Sequence, residues 1–352
     1  MDVPFGKASP SPSSPLDAGQ RTQARRKFYH ILRHFEGAGP HAGDKPEDDT
    51  KGNSQYSRPL LVRLTYEYAR SEASQDVFLR TFFGSLALSL DGHDHDVDFG
   101  NEYLLDNFFL PLKASTKKTP QPSPADHSAV QRTHGAGLPQ GLAGTPERLS
   151  ALRGACLVRD RHRCVISRKF DLSEAVKRFK TSGSASRDDD GQLLEDDVNH
   201  FDVLKVAHIL PHSLTKTESG SQLAPRLTLT HLLHSTFGDF QVFFVPVTNN
   251  QGPHTYCINS FLPPFIIRDP SLPITRTLCL AENRTIDPPS ARLLAIHCAI
   301  AHILHLSGAG EYIDRILRDA EEHGIRVDGS TELGRLVKLG LGEWVDGVGI
   351  RT

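Results

Sequence analysis

The first third of the chain alternates between apolar blocks and stretches rich in Pro, Ser, Gly and Asp. Apolar residues recur at helical spacing within residues 21–35, which predicts a short amphipathic helix. The same spacing over residues 59–113 predicts a region of two or three packed helices. The polar stretches bury too little apolar surface to offset chain entropy. We therefore expect a largely disordered tail with a short helix over 1–58 and a linker over 114–146.

Later in the chain, strand and helix patterns follow one another. Residues 203–210 form an almost continuous apolar run that ends at Pro211, which predicts a buried strand. Residues 227–237 contain two threonines that can cap a helix, and Gly238 can end it. A hairpin and a helical stretch follow over 241–247, 254–258 and 290–320. The patterns predict one α+β domain over 147–323, followed by a tail over 324–352.

The composition points to a partly unfolded chain without covalent crosslinks. Of the 352 residues, 38% are hydrophobic, below the usual share for a globular domain. Its five cysteines are scattered without a CxxC spacing, so neither a disulfide framework nor a zinc ribbon is expected. The first residues lack the pattern of a secretory signal, and no apolar run is long enough to span a membrane. We expect an intracellular protein, cytoplasmic or nuclear, that is not secreted and has no membrane partner.

The formal net charge of −2 marks no class of partner, but the charges are unevenly distributed. Residues 146–180 contain ten Lys or Arg against four Asp or Glu. Such a surplus can bind a polynucleotide backbone without reading its sequence. A solvated helix face is the alternative and stays open. The acidic stretch that follows, 181–199, is interpreted as an exposed loop. The candidate nucleic-acid-binding residues are Arg159, Arg161, Arg163, Arg168 and Lys169.

Three segments in order carry a specific resemblance. Residues 159–167 read RDRHRCVIS, residues 207–213 read AHILPHS, and residues 227–240 read LTLTHLLHSTFGDF. They resemble the HNH (His-Asn-His) domain proteins of filamentous fungi, in which RDxxRC, AHIxPxS and LTLTxxLHxxFGDF segments recur in that order. Flanking motifs at 105–113 and 304–313 resemble the same proteins, so the similarity covers roughly residues 55–320.

The resemblance implies a ββα-metal (HNH-like) core with flanking helices and a β-hairpin, and a metal-dependent endonuclease that hydrolyses phosphodiesters. It implies that His208 is the general base. It places His234 as a ligand of a divalent metal ion (Mg²⁺, Mn²⁺ or Zn²⁺), with His231 three residues earlier as a possible substitute. Imidazole suits both tasks. The implied partner is nucleic acid, DNA before RNA.

Two departures from this motif leave a second function open. Ala207 stands where a metal-binding acid or His commonly precedes the base. The middle Asn, which orients the base, aligns with Pro225 or Arg226. An active endonuclease and a silent relative, retained as an interaction module for nucleic acid or protein, are therefore both hypotheses. A His-Asp-His-Asp run at 93–96 is interpreted as a solvated loop rather than a metal site.

Overall fold

The computed structural model of the chain describes residues 15–37, 56–86, 104–117, 146–211, 226–247, 252–282, 284 and 286–323. These residues belong to two compact units. The first contains the described residues up to Leu110 and from His302 onward, and the second contains the described residues of Pro111–Ala301. The domain boundaries expected from the sequence at 58, 113, 146 and 323 stay predictions.

Helices and short strands alternate within the described residues. The helices are α1 (Ala18–Gly37), α2 (Arg58–Glu67), α3 (Glu72–Ser85), α4 (Leu110–Lys117), α5 (Pro146–Arg159), α6 (Leu172–Ser182), α7 (His231–Gly238), α8 (Ala291–Ser307) and α9 (Ala309–His323), with a π-helical turn at Leu105–Phe109. The strands are β1 (Phe170–Asp171), β2 (Phe201–Asp202), β3 (Leu204–His208), β4 (Arg226–Thr230), β5 (Val242–Pro246), β6 (Thr255–Ser260) and β7 (Ile274–Thr277).

In the first unit, helices α1, α2 and α3 surround the buried ring of Phe28. Its centroid lies 5.0 Å from the rings of both Tyr66 and Phe82. Arg21 Nε donates to Asp76 Oδ1 at 2.7 Å, and the carboxylate is buried. This hydrogen bond outweighs burial and lowers the pKa of Asp76. The helix predicted over 21–35 is thus confirmed as part of α1.

In the second unit, two antiparallel strands followed by a helix form the central motif. β3 pairs with β4 in a register that sets His208 opposite Arg226 and Leu204 opposite Thr230. α7 begins directly after β4 and packs against β3. The strand predicted over 203–210 is confirmed as β3, although only its first and fourth residues are fully buried.

The helix expected within 227–237 is confirmed as α7, with Thr230 as its N-cap and Gly238 as its last residue. Residues up to Thr230 belong to β4, and the helix starts at His231 and ends at Gly238. Alternating Leu and Thr suit a strand because β-branched side chains pack well on a pleated surface. Both faces of β4 are buried, including the face that carries the polar residues Arg226, Thr228 and Thr230.

The predicted hairpin is confirmed as β5 and β6, and β7 adds a third antiparallel strand. The helical stretch predicted over 290–320 is confirmed as α8 and α9, which are separated at Gly308, whose φ of 75° lies in the left-handed region. Among the described helices, no single one is long and apolar enough to cross a membrane, and only the bent pair Ala291–Ser307 and Ala309–Asp319 meets that test together.

The fold is therefore mixed, with several helices and small sheets. Some expectations lie outside the described residues: the linker apart from its first four residues and Pro146, Pro225, residues 1–14 and 38–55 of the tail expected over 1–58, the tail beyond 323 and the run at 93–96.

Candidate functional site

The side chain of His208 is held by an arginine on the neighbouring strand. Arg226 Nε and Nη2 lie 2.9 and 2.8 Å from His208 Nε2. A guanidinium stays protonated and can only donate, so Nε2 must present its lone pair and the ring hydrogen of neutral His208 must lie on Nδ1. While this contact persists, His208 cannot take a proton from a water molecule at either ring nitrogen.

Arg226 is itself fixed by a buried ion pair. Arg159 Nε and Nη2 donate to the two carboxylate oxygens of Asp160, each at 2.7 Å, and both side chains are 1% exposed. Arg159 Nη2 also donates to the carbonyl oxygen of Arg226 at 2.8 Å. The RD pair of the sequence thus anchors the start of β4, which carries the residue opposite His208.

This burial corrects one expectation from the sequence. Arg159 was predicted to contact nucleic acid, but its guanidinium faces Asp160 and two backbone carbonyls inside the unit. A cation buried to this extent cannot meet a phosphate at the surface. Its pairing with Asp160 instead offsets the cost of removing it from water.

His234 lies in the first half of α7 and is neutral near pH 7. Burial, together with the nearby charges of Lys205 and His231, lowers its pKa to about 4. Lys205 belongs to β3, on which α7 packs. His231 is the first residue of α7 and is exposed. The packing of α7 on β3 therefore brings together the elements that carry His208 and His234.

The donors around His234 fit a divalent metal poorly. A neutral imidazole is the form that binds a metal, but the ammonium group of Lys205 repels a second cation. Ala207, at the position before His208, offers no donor atom. Within the described ranges no group of three or more His, Cys, Asp or Glu side chains is arranged to hold a metal ion. No chemical step is therefore assigned to a metal here.

The other predicted nucleic-acid-binding residues lie nearer the surface, and each has a partner. Arg161 pairs with Asp190. Arg163 Nη2 and Nη1 donate to Asp188 and Asp197, both at 2.7 Å. Lys169 Nζ lies 3.0 Å from Asp269, and Arg168 donates to the carbonyl oxygen of Thr277. The positive surplus seen in residues 146–180 is thus largely balanced by carboxylates from elsewhere in the same unit.

Sequence reasoning missed the partner of these arginines. The acidic run was interpreted as an exposed loop, yet the side chains of Asp188 and Asp197 are only 4% and 6% exposed. Asp189 contacts two basic side chains: Arg178 Nη2 at 2.5 Å and His162 Nδ1 at 2.8 Å. The available signal was the complementarity of two neighbouring runs, basic over 159–169 and acidic over 188–197.

Arg226 is a further residue of the candidate site whose role the sequence did not reveal. Its position was singled out only as the place where an Asn is missing. The direction of its side chain depends on the strand register, which pairs it with His208.

Comparison of the chain with models of protein families, with curated proteins and with solved structures found no match.

Proposed function

We propose that the chain is an HNH-type endonuclease-like protein that acts on nucleic acid, DNA before RNA, and whose phosphodiester hydrolysis is weak or absent. The supporting observation is the pair of N–H groups that Arg226 aims at His208 Nε2. The order of β3, β4 and α7, with His208 ending the first strand and His234 on the helix, supports the relationship to ββα-metal proteins.

The chemistry follows from what a guanidinium lacks. A general base must present a lone pair to the attacking water. An amide side chain carries both a donor and an acceptor, so an Asn beside the ring tolerates either tautomer and can hold the one that leaves a nitrogen open. Arg226 has no acceptor. It keeps the ring hydrogen on Nδ1 and occupies Nε2, so the water has no base.

A second function is favoured by a separate observation. The charge of Lys205 acts on His234, and Ala207 cannot coordinate. A site in which the histidine has no free lone pair and the neighbouring side chains do not favour a metal ion fits a protein that retained the fold in order to bind nucleic acid or protein. One result distinguishes this silent module from a weak nuclease: in the silent module, removal of the Arg226 contact to His208 restores no cleavage.

The experiment compares the conversion of supercoiled to nicked plasmid by four proteins, with Mg²⁺, Mn²⁺ or Zn²⁺ and with chelator. They are the unchanged chain, Arg226→Asn, Arg226→Lys and the double variant Arg226→Asn with His208→Ala. We expect Arg226→Asn to nick at least about tenfold faster than the unchanged chain, because general-base catalysis contributes on the order of 10²–10⁴ in rate. Arg226→Lys is the matched control, since an ammonium also only donates, and it should stay near the unchanged rate.

The double variant should lose whatever Arg226→Asn gains. Circular dichroism and thermal unfolding establish that each variant folds, and Arg226→Gln replaces Arg226→Asn if the shorter side chain does not. Strong cleavage by the unchanged chain, or a gain in Arg226→Asn that survives in the double variant, would contradict the proposal. An absence of gain in both amide variants favours the silent module.

A further inference from the structure

A cluster of cations in the second unit is built on one buried aromatic ring. The guanidinium carbons of Arg163 and Arg178 lie 5.2 and 5.1 Å from the ring centroid of Phe170. The imidazole of His162 lies 6.0 Å from the same ring, centroid to centroid. Phe170 is fully buried, so the ring is a fixed support. Cation–π contacts of this kind hold both guanidinium groups whether or not an anion is present.

Backbone geometry fixes the direction of the neighbouring residues. Arg161 and His162 have φ values of 55° and 52°, in the left-handed region that side chains other than Gly seldom adopt. The turn is closed by a hydrogen bond from His162 N to the carbonyl oxygen of Leu157 at 2.7 Å. It follows α5 directly and projects both side chains towards the acidic residues. We name the four residues Arg161, His162, Arg163 and Arg178 the basic ridge.

The acidic turn Asp188–Asp190 covers this ridge. Asp189 accepts from Arg178 with one oxygen and contacts His162 with the other. The contacts outweigh the burial of Asp189, so that its pKa falls to about 2. Asp188 binds Arg163, and Asp190 binds Arg161. Three consecutive carboxylates thus meet cations of the ridge, much as successive anionic groups of a polyanion meet basic side chains.

The turn is attached at its base and more open at its tip. Leu194 N donates to Ser186 O at 2.9 Å, and Leu194 packs on Phe170 and Ala175. At the tip, the side chains of Asp189 and Asp190 are 28% and 45% exposed. A cavity of about 540 Å³ lies beside the tip, lined by Arg161, His162, Asp189, Asp190, Glu282 and the apolar Val158 and Ala281.

We infer that the basic ridge is a binding surface for the phosphate backbone of nucleic acid and that the Asp188–Asp190 turn occupies it as an internal competitor. The inference rests on the proposed function for the choice of nucleic acid as the polyanion. Its physical basis is local. Guanidinium groups held by Phe170 form charge-assisted hydrogen bonds with carboxylate or phosphate oxygens alike. An anion in solution must therefore displace carboxylates that are always present.

The test measures binding of a fluorescent 30-base-pair DNA duplex to the full chain, in chelator, over a series of salt concentrations. Asp189→Asn with Asp190→Asn removes two competing charges at the tip. We expect affinity at low salt to rise about tenfold, and the slope of log K against log salt to steepen by roughly 1–2, since each phosphate contact releases condensed counterions.

The matched control is Glu195→Gln with Asp196→Asn. It changes the net charge by the same amount, and neither residue has an ion pair with a described residue. We expect less than a threefold change in affinity. Arg178→Gln and Arg161→Gln, added to the tip variant, should return binding to the level of the unchanged chain. If the tip double variant does not fold, Asp190→Asn alone, at the most exposed carboxylate, gives the same comparison.

Each outcome decides the inference. A gain confined to the tip variant and cancelled by the arginine changes supports it. Equal gains in the tip and control variants overturn it, because net charge alone then explains binding. No gain in a folded tip variant also overturns it, because the ridge then does not bind the phosphate backbone. The assay contains no active metal, so its result is independent of whether Arg226→Asn restores cleavage.

Discussion

Two groups of arginines, only two residues apart in sequence at their closest, have opposite surroundings. The inner group, Arg159 and Arg226, is buried and directs its donors at Asp160, backbone carbonyls and His208. The basic ridge is partly exposed and is met by the carboxylates of the Asp188–Asp190 turn, together with those of Glu174 and Asp197. The buried arginines need their protein partners, because no water reaches them to replace those hydrogen bonds. For the partly exposed arginines of the basic ridge, replacement of their carboxylate partners by other anions costs little stability.

The buried arginines stabilise the fold, whereas the partly exposed arginines are the candidates for binding a ligand. An RD pair and a basic run look alike in sequence, yet a buried pair costs several kcal/mol to break, while an exposed pair contributes about 0–1 kcal/mol. A positive surplus is therefore no measure of nucleic-acid binding until the buried cations are subtracted and the carboxylates that compete for the others are counted.

The largest expected effect is that of breaking the inner pair. Asp160→Ala leaves the buried guanidinium of Arg159 without its carboxylate, and we expect the free energy of unfolding to fall by about 3–5 kcal/mol. Urea titration at pH 7 measures this loss. Arg161→Gln, which removes a ridge cation of partial exposure, is the control and should cost less than about 1 kcal/mol. Similar costs for the two changes would remove the distinction between the groups.

A smaller effect separates the buried interior of the second unit from the basic ridge by pH. His297 is sandwiched between Phe237 and Phe240, and burial lowers its pKa to about 3. Because its folded pKa lies below the ordinary value of about 6.5, the unfolded chain binds more protons as pH falls below 6.5, and stability is lost. For His297 this loss between pH 7 and pH 4.5 is on the order of 2–3 kcal/mol.

The outer group has a different pH window. The pKa of Asp189 is lowered to about 2, so its contribution is complete above the ordinary Asp value and is lost only as pH falls from about 4 towards 2. Urea titrations at pH 7 and 4.5 should therefore give a smaller difference for His297→Phe than for the unchanged chain. Asp189→Asn should leave the difference intact. A difference between pH 7 and pH 4.5 that changes in Asp189→Asn but not in His297→Phe would contradict this assignment.

Much of the local structure could be predicted from sequence, because it depends on local patterns. The apolar run before Pro211 identifies β3, and Gly238 marks the end of α7 correctly. The two threonines left the start of α7 open between Thr228 and Thr230, because Leu227–Thr230 is compatible with both a strand and the beginning of a capped helix. Only the pairing with β3 decides that these residues form β4 and that Thr230 caps the helix.

The candidate site was less predictable, because its contacts join distant parts of the chain. His208 and Arg226 are 18 residues apart, and their contact depends on strand register. Asp189 reaches His162 only because the backbone turns through positive φ at Arg161 and His162. The sequence contains both charge runs, but nothing in a local window states that they face each other.

The central claim, that Arg226 withholds His208 from catalysis, is tested most directly by the position of the ring hydrogen of His208. Nitrogen-15 NMR of labelled imidazole, with the His208 signals assigned by their loss in His208→Gln, distinguishes a protonated from an unprotonated ring nitrogen. The account predicts hydrogen on Nδ1 and a lone pair on Nε2 at pH 7 in the unchanged chain, and a shift towards hydrogen on Nε2 in Arg226→Asn. Hydrogen on Nε2 in the unchanged chain would contradict it.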